Sequence, residues 1–169
     1  MIKPVKIGSI DRAMEIFRSA VSDMEKKNIR QWDEVYPDRE TVSEDILSGT
    51  MYGYFVGEVL CAVQVINQIQ SPEYSQIDWK YRDENPLVLH RLCVDPEYRN
   101  RGIAKQMILF AEKYAADNGF RTIRFDAFIN NPVSVHIYEK AGYFNSGTVR
   151  FRKGDFYCFE KKTVNYPDE

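Results

Sequence analysis

Cysteine, histidine and tryptophan are scarce in this 169-residue chain, which has three, two and two of them. Cys61, Cys93 and Cys158 are an odd number, far apart and without a C-x-x-C pair. That excludes a disulfide framework and predicts free thiols in a reducing compartment. With only His90 and His136, a His/Cys metal cage is not expected, so the reading is metal-free. No apolar run reaches the ~18 residues that a membrane span needs, and the N-terminus lacks the apolar core of a signal peptide. Lys plus Arg number 23 against 25 Asp plus Glu, a net charge of −2. There is no broad basic field, and nucleic acid is not an expected partner. Together these absences predict a cytoplasmic protein, bound to neither membrane nor nucleic acid.

What is present is ordinary globular material, 44% hydrophobic and 28% charged. The length predicts a single domain over 1–169, burying roughly 70% of the surface of the unfolded chain. No internal repeat, low-complexity tract or linker interrupts it.

In chain order, a loose alternation over 2–7 predicts an edge strand, with Pro4 tolerated near its start. Ser9 is a good N-cap for a helix to about Lys27, whose Ile10, Ala13, Met14, Phe17, Ala20, Val21 and Met24 share one face. A connection over 28–37 holds Trp32 and Tyr36. Asp38 can cap a helix from Arg39 to Leu47, stopped near Gly49. Strands follow over 51–56 and 59–66, joined by the two-residue turn Gly57-Glu58. The polar stretch 67–86 predicts a long loop with one turn of helix, in which Trp79 and Tyr81 are loop anchors or pocket walls. Later elements are strand 87–94, a helix to about Asn118 ended by Gly119, strand 121–128, helix 132–141, and strands 143–151 and 155–161 around a Lys153-Gly154 turn. The alternation of the two periods predicts an α/β (α+β) fold, a mixed sheet of about seven strands with helices on both faces.

The most informative stretch runs from Leu87 to Phe110 and reads strand, tight turn, helix. Asp95-Pro96-Glu97 stops the strand, because proline removes a ladder donor. Tyr98-Arg99-Asn100-Arg101-Gly102-Ile103-Ala104 then feeds straight into a helical stripe of Ile103, Met107, Ile108, Phe110, Ala111 and Tyr114. A turn entering a helix this way leaves the first N–H groups unpaired and converging, and the helix dipole favours an anion there. Gly102 lets a bulky ligand approach the backbone, and Arg99 and Arg101 add positive charge. These residues form a cradle for a phosphate or pyrophosphate. Downstream, Asn130-Asn131-Pro132 is a turn with proline suited to a first helical turn. The helix after it carries Tyr138-Glu139-Lys140-Ala141 and stops at Gly142.

Arg99-x-x-Gly102-x-Ala104, then Asn131, then Tyr138-Glu139-Lys140-x-Gly142-Tyr143 resembles the GCN5-related N-acetyltransferase (GNAT) superfamily, in motif and in order. The resemblance is strongest over 87–145 and extends to Gln31-Trp32-Asp33-Glu34, a stretch seen in small bacterial members. It implies the GNAT acyl-CoA N-acyltransferase fold and transfer of acetyl from acetyl-CoA, as co-substrate, to a primary amine of a small molecule or peptide. Residues 99–104 (Arg99, Asn100, Arg101, Gly102, Ile103, Ala104) would hold the pyrophosphate. The backbone at Cys93 and Val94 would bond the pantetheine arm, and Asn131 would contact the cofactor. Ala104 stands where glycine is frequent and Ser134 where a small apolar residue is, and neither departure removes a needed group.

Direct attack of an amine on a thioester needs no enzyme nucleophile. It needs the ammonium to lose a proton and the departing thiolate to gain one. The resemblance gives the second task to Tyr138, whose ordinary pKa near 10 nearly matches that of a thiol. The base stays open between His90, which alternation sets on the face of Val94, and Asp126, whose structural alternative is a pairing with Arg124 or Arg91. Trp32, Asp33, Glu34, Tyr36, Tyr74 and Trp79 are the candidate acceptor residues, as carboxylates and aromatics that could receive a cation. Two other uses of the same fold are a regulator that binds acyl-CoA without turnover and a protein N-terminal or lysine acetyltransferase. The family permits a monomer or a homodimer.

Overall fold

A computed structural model describes residues 1–82 and 85–166; residues 83 and 84 of the expected loop lie outside the described residues. Its elements are β1 (Ile2–Pro4), α1 (Ile10–Lys26), α2 (Arg39–Leu47), β2 (Met51–Val56), β3 (Val59–Asn67), β4 (Leu87–Val94), α3 (Ile103–Asp117), β5 (Thr122–Phe128), α4 (Pro132–Lys140), β6 (Phe144–Phe151) and β7 (Gly154–Lys162). The order of strands and helices is the expected one. The strands form a seven-stranded mixed sheet in the order β1-β2-β3-β4-β5-β7-β6.

The chain divides into two compact units, Met1–Ile66 with Arg91–Ile108, and Asn67–His90 with Leu109–Glu169. The division falls inside β4. In the first unit β1, β2 and β3 pair antiparallel. Ala13, Ile16, Phe17 and Ala20 of α1, each 2% exposed or less, pack with Val42 and Ile46 of α2 and with Met51 and Val63 of the strands. Full burial of a side chain such as Phe17 contributes about 1.5–3 kcal/mol. In the second unit the start of β4 pairs parallel with β5, as Leu87↔Ile123 and Val88↔Arg124. β5 then pairs antiparallel with β7, and β7 with β6. Among the described residues no helix is long and apolar enough to cross a membrane.

Of three local expectations, one holds and two shift. Asp38 caps α2 as expected, its carboxylate accepting from the Thr41 N–H at 2.8 Å. Ser9 makes no side-chain cap bond on α1. It closes a 3-10 turn over Ile7–Ser9 and is already bent at φ −101, ψ 8, away from the extended conformation a capping side chain uses. The last hairpin turns at 152–153, one residue before the expected pair, because Phe151 pairs with Gly154. Gly154 has φ +134, and a Cβ there would meet Phe128 at 3.2 Å, so glycine is needed in the strand rather than in the turn.

A charged cluster holds the loop before β4. Glu160 of β7 is fully buried. It accepts from the main-chain N–H groups of Lys80 and Tyr81 and, at 2.6 Å, from the Ser146 hydroxyl. Arg124 lies 4.0 Å from it, donates to Tyr81 O at 2.7 Å and sits 4.4 Å from the Trp79 ring centroid. Trp79 donates its indole N–H to Tyr74 O at 3.2 Å. Of the two readings for Trp79 and Tyr81, loop anchors is the one observed. Replacing Glu160 by alanine leaves a buried guanidinium and two amides short of their acceptor. We expect Glu160→Ala to lose about 3 kcal/mol in urea unfolding, and Glu160→Gln to lose less. A loss within about 0.5 kcal/mol for the alanine variant would contradict this anchoring.

Candidate functional site

In the first unit the turn between β4 and α3 is built from both ends. Asp95 ends the strand with its N–H on Cys61 O at 2.9 Å, and its carboxylate accepts from the Glu97 N–H at 3.0 Å, opening a single 3-10 turn over Pro96–Tyr98. Two left-handed residues follow, Asn100 at φ 61 and Gly102 at φ 73. Asparagine and glycine are the residues that adopt this conformation most readily. The α3 ladder begins with Gln106 N–H donating to Gly102 O at 3.1 Å, so the amides of Ile103, Ala104 and Lys105 come before it. A Cβ on Gly102 would meet nothing within 4 Å. The open space lies at the dipole-positive start of the helix, where an anion is favoured.

The arginines of this turn are not simply offered to a ligand. Arg99 pairs with Asp23 of α1 and donates through Nε to Val94 O at 3.3 Å. Lys27, then Arg99, holds the Asp23 carboxyl below its ordinary range. Arg12, about three turns earlier on the same helix, pairs with Asp95 and donates to Leu60 O at 3.0 Å. Helix α1 therefore grips the turn at both ends with opposite charges. Arg101 folds back, donating to Glu97 O at 3.1 Å with its guanidinium 5.1 Å from the Tyr98 ring centroid.

Cys93 points into the core with Ile16 and Phe17, 4% exposed, and burial pushes its thiol up to about 12. Its side chain is structural, which leaves only its main chain for a ligand. Just before it, Arg91 has φ 52, a left-handed residue inside a strand. Its guanidinium donates twice to Asp45, from Nε at 2.9 Å and Nη2 at 2.7 Å, and from Nη1 to the Tyr36 hydroxyl at 2.7 Å. The regular alternation that would carry His90 to the face of Val94 is interrupted at this residue.

In the second unit, His90 Nε2 and Asn67 Oδ1 share a hydrogen bond of 2.9 Å. Asn131 caps α4, its Oδ1 accepting from the Ser134 N–H at 3.3 Å. The capped helix carries Tyr138, whose ring centroid lies 4.3 Å from that of Phe125 and 5.9 Å from that of Phe159. Burial, and then the charge of Asp126, raise the Tyr138 phenol well above its ordinary value. Proton transfer from it to a thiolate is therefore less balanced than the unperturbed values imply, and its O–H is intact across neutral pH. Asp126 accepts from the Tyr74 hydroxyl at 2.7 Å. Arg124 donates to Tyr81 O and Arg91 to Asp45.

The candidate acceptor residues are largely occupied in building the chain. Trp32 packs edge-on against Phe17 at 5.5 Å, and the Asp33 carboxylate accepts from the N–H groups of Val35 and Tyr36, both at 3.1 Å. Arg12, Asp23 and Asp45 escaped the sequence reading. The available signal was a charge interrupting or flanking an apolar helical stripe, which solvated faces also show.

The acetyltransferase (GNAT) family pattern matches residues 15–143. The chain belongs to that family. It is similar to an aminoglycoside N(6′)-acetyltransferase type 1 of Salmonella typhimurium, 30% identical over 70 residues, 41% of this chain and 48% of that protein. The matched stretches span 34% to 48% of the length of such curated relatives. Two solved structures show the same fold. A GNAT-family acetyltransferase of Streptococcus agalactiae has a TM-score of 0.86 at 23% identity, covering 96% of this chain and 95% of that one. The PaiA N-acetyltransferase of Thermoplasma acidophilum, in complex with coenzyme A, has a TM-score of 0.72 at 21% identity over 96% and 98%.

Cys61, Cys93 and Cys158 are all buried, and burial pushes both Cys93 and Cys158 up to about 12. Both remain neutral thiols at pH 8. Ellman's reagent should therefore find less than one fast thiol per native chain and three in guanidinium. Prompt reaction of two or more in the native protein would contradict the burial.

Proposed function

We propose that the protein is an acetyl-CoA-dependent N-acetyltransferase acting on a primary amine of a small molecule or peptide. The observation that carries this is the left-handed turn at Asn100 and Gly102, open above Gly102, at the start of α3. Support comes from family membership, from the coenzyme A held by the Thermoplasma relative, and from the amine named in the aminoglycoside acetyltransferase.

Acetyl-CoA supplies an activated thioester. The turn over residues 99–104 binds its diphosphate, with Asn100, Arg101, Ile103 and Ala104 contributing main chain, Gly102 contributing room and Arg99 contributing charge. The main chain at Cys93 and Val94 orients the pantetheine arm and polarises the carbonyl. Asn131 starts α4 and so sets the position of Tyr138, besides its proposed contact with the cofactor. Tyr138 donates its O–H toward the departing sulfur. With a phenol raised by burial, that donation stabilises the thiolate as a hydrogen bond before it delivers a proton. His90 draws the proton from the attacking ammonium, and Asp126 orients the amine. The same reading makes the protein cytoplasmic, in keeping with three free buried thiols, and a monomer or homodimer.

Titration calorimetry should show acetyl-CoA binding to the native chain and a loss of at least a hundredfold in Gly102→Glu, whose carboxylate would enter the cradle. Unchanged affinity removes the cradle from the mechanism. In acetyl transfer followed by thiol release, Tyr138→Phe should lower kcat by about a hundredfold while leaving acetyl-CoA affinity within about twofold. Full activity would end its acid role. In a pH–rate profile, His90→Gln should lose the acidic limb, and retention of that limb would move the base to another residue. Binding without transfer to any amine would favour the regulator.

A further inference from the structure

Arg91 is the anomaly of the central strand. A long, unbranched side chain in the left-handed region is uncommon, because its Cβ crowds the following carbonyl. Strained residues of this kind persist only where surrounding contacts over-determine them. Here the contacts are identifiable. The guanidinium is 13% exposed and makes a two-armed pair with Asp45, itself 10% exposed. Its third arm donates to the Tyr36 hydroxyl, and the Tyr36 ring lies 5.9 Å from it.

Both partners are held from behind. Asp45 is near the end of α2, where its main-chain oxygen accepts from the Thr50 N–H at 3.0 Å, from Thr50 Oγ1 at 3.1 Å and from Ser48 Oγ at 3.2 Å. Tyr36 is fixed by the turn at Asp33, whose N–H donates to Tyr36 O at 3.1 Å. A guanidinium held by a two-oxygen fork has little rotational freedom. The strain at φ 52 is thus maintained by a rigid side-chain tether rather than by the residue's own preference.

The consequence falls on the main chain. A left-handed residue rotates the peptide planes on either side of it out of the flat ladder, as in a β-bulge. The planes that follow Arg91 are those of Leu92, Cys93 and Val94. Resting on the proposed use of the Cys93 and Val94 main chain by the pantetheine arm, we infer that Arg91 is a positioning residue. Its tether to Asp45 and Tyr36 sets the direction of those N–H and C=O groups, so that α2 and the 28–37 connection determine how the thioester end of the substrate is held. The nucleotide end depends on the separate cradle.

The test compares Arg91→Ala with Arg91→Gly. Glycine adopts φ 52 freely and alanine does not, whereas both remove the tether. Transfer kinetics and calorimetry with acetyl-CoA would be set beside calorimetry with adenosine 3′-phosphate 5′-diphosphate, the nucleotide half of coenzyme A. Arg91→Ala should lose at least tenfold in kcat/KM and weaken acetyl-CoA binding, with nucleotide affinity within twofold of the native chain. Arg91→Gly should recover several-fold of the loss, although it removes more side chain. If Arg91→Ala fails to fold by circular dichroism, Asp45→Asn takes its place, with an expected loss of about threefold in the same two measurements. Three results overturn the inference: native-like kinetics in the alanine variant or in its Asn substitute, a glycine variant worse than alanine, or nucleotide affinity falling in parallel with acetyl-CoA affinity. A native chain that binds neither ligand would instead refute the acetyl-CoA reading itself.

Discussion

A strand that turns left-handed at its midpoint must be held there, and the ion pair of Arg91 with Asp45 is what holds it. β4 is the strand shared by the two compact units, which divide between His90 and Arg91. Its first half pairs with β5, as Leu87↔Ile123 and Val88↔Arg124. Past Arg91 the strand leads to Asp95, whose N–H bonds Cys61 O of β3. Without the fork of Asp45, extended backbone would be the lower-energy choice for an arginine.

The same economy recurs in other charged groups, partly exposed at Arg12, Asp23 and Arg99 and fully buried at Glu160. Arg12 and Asp23 grip the turn at 95–99 through Asp95 and Arg99, and Glu160 gathers the amides of Lys80 and Tyr81. Desolvation cancels much of the attraction in such pairs, so their net contribution to stability is small. What they provide is direction, since a carboxylate with several donors has few acceptable positions. A chain of net charge −2 thus uses its charges as internal fasteners rather than as an external field.

The chemistry proposed for Tyr138 depends on the same balance between burial and charge. Phe125 and Phe159 pack its ring and Asp126 acts on its hydroxyl, and both effects favour the protonated phenol. That environment suits a hydrogen-bond donor that must arrive with its proton in place. It is less suited to a group that exchanges protons readily with bulk water. Cys93 follows a parallel logic with the opposite result. Burial at 4% exposure keeps its thiol protonated and unreactive.

The sequence by itself determined the elements and the turn before α3, because both rest on short-range rules. Apolar spacing located α1 and α3, Asp38 announced the start of α2, and Gly102 before a helical stripe marked the turn that opens α3 within a few residues of chain. Only tertiary structure decided which charge meets which. Asp45 lies 46 residues from Arg91, Asp23 lies 76 from Arg99, and Glu160 lies 80 from Lys80. No periodicity links positions that far apart, and a carboxylate on a helix reads the same whether it faces water or a buried arginine. The left-handed turn of Arg91 was hidden for the same reason, since its cause is not the arginine but the two residues that packing brings to it.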